Sequence, residues 1–444
     1  MKVIIIGGIA AGMSAAAKLK RSHKEAQVIV YEKSPFISFG GCGLPYYVGQ
    51  YFDNHEQMFA RTPEQAIQSG IELYVEHEVL KVNTEEKSVE VKNLKTGEVF
   101  TQNYDRLMVA TGSSPVIPPI KNIDLKNVHT LRNMEDGHIL REKMQDESIK
   151  KVGIIGAGFI GLEVAEAAKK MGKEVSIFQS GDRVLKATFD KEITDILEAE
   201  IQKEGVNLYL NTMVTGLNGT EKVEQIVTNE HVVDVDLVIL AIGVRPNTAF
   251  LKDTGLEMLP NGAIIVDNEG KTSIEDVYAA GDCATVPHFL KEAPAYIPLA
   301  TNANKLGRIV GENLGGKAER FEGTLGSSCL KVIHMEAGRT GLSEDEAREA
   351  GIDYKVAFIT DKNQTDYYPG QESISIKLIY EANTKVLLGG QVVGKKDAVQ
   401  RTNVLSTAIY AKMTTKQLGM LDLCYAPPFA RTWDALNVAG NVAK

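Results

Sequence analysis

The sequence predicts an α/β protein in which one βαβ pattern occurs twice, and three observations support this. Gly7 and Gly156 each open a glycine-rich turn that follows a short apolar run and precedes an alanine-rich helical stretch. Each unit is later followed by an apolar strand that ends in an Ala-x-Gly turn, Ala110–Gly112 and Ala241–Gly243. A further segment of different pattern fills the last third of the chain.

The first unit reads "KVIIIGGIAAGMSAAAKLKR", then "AQVIVYEK". The run from Val3 to Ile6 is a strand, the turn holds Gly7, Gly8, Ala10, Ala11 and Gly12, and the second strand ends at Glu32 and Lys33. This is the layout of a dinucleotide site. A pyrophosphate meets the N-terminus of the helix, and the acid takes ribose hydroxyls. Ile9 stands where the second glycine of G-x-G-x-x-G belongs, so an ordinary βα turn is the competing reading.

The second unit, "KKVGIIGAGFIGLEVAEAAKKMGKEVSIFQ", carries the full fingerprint at Gly156, Gly158 and Gly161, with Phe159 and Ile160 between them. Its second strand ends in Gln179 and Ser180 rather than an acid. An acid there would repel a 2′-phosphate, so its absence removes the usual bias towards NADH. Arg183 is close enough in sequence to meet such a phosphate, or it is a solvated loop charge. "YDRLMVATGSSP" runs into Thr111–Gly112, a turn able to press backbone against a nucleotide, and "DLVILAIGVRPN" repeats it at Gly243. "TSIEDVYAAGDCA" places Gly281 and Asp282 after a strand and before an expected helix, where the Asp can accept bonds from sugar-like hydroxyls.

Composition narrows the function. A net charge of −9 argues against nucleic acid, whose phosphates need a basic surface. The four cysteines, at 42, 283, 329 and 424, form neither a C-x-x-C pair nor a zinc spacing, so no metal is expected and a reducing cytoplasm is the expected location. The chain enters an apolar strand directly after Met1, as a protein without a signal peptide would, and no uncharged run is long enough to span a bilayer.

Taken in order, these motifs resemble the FAD- and NAD(P)-dependent pyridine nucleotide-disulfide oxidoreductase family of flavoproteins. The resemblance implies an FAD domain from residues 1–112 and 246–322, a linker and NAD(P)H domain from 113–245, and an α+β dimerisation domain from 323–444. Gly389–Gly390, between "KVLL" and "QVVG", reads as a hairpin turn in that last domain. Gly7, Gly8, Gly12, Glu32 and Asp282 resemble the family's FAD contacts, with Ala10, Ala11, Lys33, Ala110, Thr111, Gly112 and Gly281 beside them. Gly156, Gly158, Ile160, Gly161 and Gly243 resemble the NAD(P)H contacts. Phe159 resembles the aromatic gate over the flavin, and Glu163 the acid beside the nicotinamide. Ordinary helix packing is the alternative for both.

The branch follows from "SPFISFGGCGLPYY". Members with two cysteines carry C-x-x-x-x-C, but position 47 is Tyr47, and the C-terminal histidine they need is missing because the last His is His334. A lone thiolate at Cys42 can instead hold half of an external disulfide, or be oxidised to a sulfenic acid by peroxide. Peroxidase and oxidase members resemble G-x-x-H-x-G at the first turn; Ala10 in place of that His argues against peroxide reduction. "TDYYPG" and "LCYAPPFARTWD" resemble the coenzyme A-disulfide reductase subfamily, in which tyrosines from the second subunit approach the thiol of the first. That resemblance assigns the role to Tyr367 and Tyr425 of a homodimer, phenols that replace the missing His as acid. It also places Ser14, Lys18, Arg21 and Ser38 at coenzyme A, and local charge adds Arg61. A solvated helix face is the competing reading of those cations. Cys283, Cys329 and Cys424 read as structural. The expected reaction is reduction of coenzyme A disulfide by NADPH or NADH through FAD and Cys42. The alternatives are a persulfide or polysulfide reductase, an NADH oxidase or peroxidase, and a non-enzymatic redox-sensing module.

Overall fold

The first apolar run forms the central strand of a parallel sheet because it is buried on both faces, as parallel strands covered by helices are. The computed structural model describes residues 1–444. Lys2–Ile6 pairs with Gln27–Glu32 on one side and Arg106–Val109 on the other; Glu72–Val75 and Val277–Ala279 complete the five strands. The helix Ala10–Ser22 packs on this sheet and against the helix Ala300–Asn313.

The second unit repeats the plan. Lys151–Ile155 is central, between Glu174–Phe178 and Leu237–Leu240, with Asn207–Tyr209 and Val128–His129 at the edges. An edge strand of the first sheet, Val277–Ala279, comes after the whole second unit, so the second unit is an insertion. The chain leaves through Ser113–Pro115 and returns through Val244–Pro246, and these two segments pair antiparallel. Asn247 fastens the crossing: its side-chain amide donates to the Thr111 carbonyl (3.1 Å), and its own carbonyl accepts from the Thr111 hydroxyl (2.7 Å).

The last third is a five-stranded antiparallel sheet in the order Ser328–Val332, Met335–Gly341, Leu387–Gly394, Ser373–Glu381, Tyr354–Lys362, covered by the helix Ala398–Tyr410. Gly389 and Gly390 are not a hairpin turn. They lie inside the central strand Leu387–Gly394, paired with both neighbours. A Cβ on Gly389 would stand 1.9 Å from the Leu342 carbonyl oxygen, and one on Gly390 would stand 2.7 Å from Leu405, so close packing selects glycine there. The turn lies earlier, where Lys385 adopts φ +64°.

Candidate active site

Both glycine turns are the same device. A Cβ on Gly7 (φ +108°) would stand 2.2 Å from the Ala110 carbonyl oxygen, and one on Gly12 would stand 1.9 Å from the Gly7 carbonyl oxygen. In the second unit, Gly156 (φ +107°) meets Ala241 at 2.4 Å and Gly161 meets Gly156 at 2.1 Å. Neither following helix has a side-chain cap or an acid in its first turn, so its first N–H groups are free for phosphate oxygens. Open space faces Gly158. These residues fit two dinucleotides.

At the strand ends the two sites differ by one charge. The buried Glu32 carboxylate accepts from the Gly8 N–H (2.7 Å) and the Ser34 N–H (2.8 Å). Gln179 accepts from the Ala157 N–H (3.0 Å) with a neutral amide. Arg183 lies nearby, its Nε buried without a hydrogen-bond partner and its nearest acid, Asp182, 3.8 Å away. Lys33 is exposed and Ile160 partly buried beside its own turn.

Asp282 accepts from the Arg132 guanidinium (3.0 Å) and the Ser113 hydroxyl (3.2 Å). The helix expected directly after it is absent. The chain turns into the short strand Val286–His288, and the next helix begins only at Ala300. The start of a different helix faces this turn: a Cβ on Gly281 (φ +87°) would stand 3.1 Å from Ala11. Gly112 (φ +64°) and Gly243 (φ +121°) both need the left-handed region. Arg132 was not identified from sequence, because a lone arginine in "TLRNMED" carries no local signal.

Cys42 occupies a 3-10 turn, Gly41–Gly43, that runs into the helix Leu44–Val48. The glycine frame lets this turn press on its neighbour. The Gly40 N–H donates to the Met58 carbonyl (2.8 Å), and a Cβ on Gly43 would stand 2.8 Å from the Met58 sulfur. Cys42 reaches solvent, yet the protein around it pushes its thiol up: burial first, then the charges of Glu163 and Asp282, with Arg132 opposing them. One thiol therefore senses an acid from each unit. Burial also raises Glu163 to about 7, Glu166 adding to the rise; a hydrogen bond from Tyr46 (3.4 Å) works the other way. Tyr46 is itself pushed up by burial and by Glu163. Tyr46 stood in the quoted stretch without drawing attention. Phe159 opens the helix that carries Glu163 and is partly buried.

Tyr367 and Tyr425 are brought together at the far end of the same chain. The Tyr425 phenol is pushed up by its hydrogen bond to Tyr367, and the Thr365 hydroxyl ties the two loops by donating to the Pro427 carbonyl (3.0 Å). Both phenols are exposed, as are Phe429 and Trp433, and neither bonds to Cys42 of its own chain. Among the expected coenzyme A residues, the Ser14 hydroxyl donates to Asn304 (2.8 Å) and Lys18 pairs with Glu312 (2.5 Å). Arg21 and Arg61 have no ion-pair partner. Ser38 (φ +52°) is held beside the first turn by its N–H to the Gly8 carbonyl (3.0 Å). Cys283 is buried, and burial pushes its thiol up to about 11. Cys329 and Cys424 are exposed, and the strand that carries Cys329 is a sheet edge.

The comparisons agree with this geometry. The pattern of the pyridine nucleotide-disulphide oxidoreductase family matches residues 1–307, and that of its dimerisation domain matches residues 327–436. The chain is 38% identical over its whole length to an NADH oxidase of Enterococcus faecalis, covering 99% of that protein. It is 40% identical, also over its whole length, to an NAD(P)H coenzyme A polysulfide/persulfide reductase of Pyrococcus horikoshii, covering 98% of it. The crystal structure of reduced Bacillus anthracis CoADR-RHD superimposes with a TM-score of 0.95 at 32% identity, over 99% of this chain and 79% of that one. No helix is long and apolar enough to cross a membrane. With two dinucleotide-binding domains, a lone thiol between their acids and a dimerisation domain, the chain belongs to the pyridine nucleotide-disulphide oxidoreductase family, whose members work with FAD and NAD(P)H.

Proposed function

We propose that the protein reduces coenzyme A disulfide to two thiols at the expense of NAD(P)H. The observation that carries this reading is the single Cys42, flanked by Glu163 and Asp282, with no second thiol bonded to it. FAD and the nicotinamide, when bound, supply the two electrons. The remaining steps belong to the chain. The Cys42 thiolate attacks one sulfur of the disulfide, forming Cys42–S–S–CoA and expelling one CoA thiolate, which takes a proton. Two electrons then cleave the mixed disulfide, returning the Cys42 thiolate and a second CoA thiol. The sum is one disulfide, one NAD(P)H and one proton consumed, and two thiols and one NAD(P)⁺ formed. Tyr367 and Tyr425 of a second subunit would serve as the proton donors. In support, both are exposed in the single chain, within a domain of the dimerisation type. Arg21 and Arg61, free of ion pairs, are the cations best able to meet the phosphates.

The test is intact mass before and after thiol reductant, together with turnover. Loss of one coenzyme A per subunit, abolished in Cys42→Ser, and turnover of coenzyme A disulfide but not of glutathione disulfide support the reading. Absence of both an adduct and turnover overturns it. Persulfide reduction through the same thiol is the second reading, favoured by the Pyrococcus relative. Oxygen uptake with NADH alone would instead place the protein with the oxidases.

A further inference from the structure

We propose that Glu200, Glu204 and His334 form a binding site for one divalent cation of the Zn²⁺ class, at the seam between the second nucleotide unit and the C-terminal domain. Glu200 lies in the helix Lys191–Lys203, and Glu204 follows one turn later on the same face. His334 comes from elsewhere, the two-residue turn between Ser328–Val332 and Met335–Gly341. One oxygen of each carboxylate and one ring nitrogen all lie within 4.8 Å of one another.

Proximity of acids alone would not make a site, and Glu200 supplies the second observation. Its side chain is only 7% exposed, and its Oε1 is buried with no hydrogen-bond partner. A buried carboxylate oxygen left unpaired is costly unless something positive meets it. Lys203 stays at the rim: its ammonium is 3.6 Å from Glu200 and 3.7 Å from Glu204, and its side chain is largely exposed. His334 is 3.7 Å from Glu204. None of the three side chains makes a closer polar contact.

The hairpin tip that carries His334 is fixed. The Ile333 N–H donates to Glu166 (2.8 Å), and Lys331 bridges Glu166 (2.5 Å) and the Ile333 carbonyl (2.5 Å). Glu200 is held by burial, while Glu204 and His334 remain free to swing. In tetrahedral geometry with bonds of about 2.0–2.1 Å, ligand atoms stand about 3.3 Å apart, a closure that the exposed His334 and the part-exposed Glu204 can make. One imidazole and two carboxylates suit Zn²⁺ and its late first-row neighbours rather than Mg²⁺ or Ca²⁺, which take oxygen sets. Water would complete the shell. Bound there, the ion would link the helix of one domain to the hairpin of the other.

Zn²⁺ titration of the chelator-treated, flavin-bound enzyme tests this, followed by calorimetry and by the thermal midpoint. The wild type is expected to bind one more equivalent per subunit than His334→Ala, which retains the same four thiols. Glu204→Gln is expected to weaken that equivalent at least tenfold, Mg²⁺ is expected not to displace it, and the midpoint is expected to rise with Zn²⁺ only when His334 is present. Turnover without added metal is expected to be equal in wild type and His334→Ala. Equal Zn²⁺ stoichiometry and affinity in the two proteins, or no binding in the wild type, overturns the proposal; displacement by Mg²⁺ overturns the assigned cation class.

Discussion

Glu163→Gln isolates one of the two negative charges that act on the Cys42 thiol. Glu163 titrates near 7, so it is about ten to one ionised at pH 8 and about one to ten at pH 6. The ionised Glu163 carboxylate disfavours the Cys42 thiolate and adds to the larger effect of burial, so the neutral form of Glu163 leaves the thiol easier to ionise. Removal of the charge should therefore raise the thiolate fraction, and with it the alkylation rate, at pH 8, where Glu163 is mostly ionised, and leave it nearly unchanged at pH 6. Glutamine keeps the side-chain shape and can still accept from Tyr46. The assay is the rate of iodoacetamide alkylation of the reduced, flavin-bound enzyme between pH 6 and 10, with Cys42→Ser as the blank. A variant-to-wild-type ratio independent of pH, or slower alkylation in the variant at pH 8, would refute the coupling.

Other substitutions probe the frame. Gly12→Ala puts a Cβ 1.9 Å from the Gly7 carbonyl and should yield protein with less than about a tenth of the wild-type flavin, read from its absorbance. Lys377→Met leaves Asp190, Glu192 and Glu344 around a fully buried position without their cation; a cost of about 3–5 kcal/mol should appear as a lowered unfolding midpoint. Buried His288 is held down to about 4, by burial first, and its neutral Nδ1 accepts from the Leu290 and Lys291 N–H groups (both 3.2 Å). The unfolded chain binds that proton first, so stability should fall as pH drops from about 6.5 to 4, by on the order of 3 kcal/mol; His288→Gln should flatten this part of the pH profile. Arg183→Ala should raise the KM for NADPH several-fold more than that for NADH, and equal effects would remove Arg183 from phosphate recognition.

Features built from neighbouring residues were legible in the sequence. The turns at Gly7 and Gly156 require φ near +107°, and Gly12 and Gly161, five residues on, have no room for a Cβ against the Gly7 and Gly156 carbonyls, so composition and spacing reveal them. Asp282 was found for its motif but placed before the wrong element. Its partner Arg132 lies 150 positions away and no spacing reports it. Gly389–Gly390 misled because two glycines between apolar runs look like a turn, whereas here they are small because Leu342 and Leu405 press on the strand.

The sequence by itself determined two fingerprints, one lone cysteine and no histidine after His334. Only the tertiary structure decided how that cysteine behaves. Thiol ionisation depends on burial and on surrounding charges, and the charges that act on Cys42, Glu163, Asp282 and Arg132, come from distant parts of the chain. The same holds for Glu200 and His334, ordinary residues in their own segments. They become neighbours because the hairpin tip docks on Glu166, which tertiary packing provides and local sequence does not.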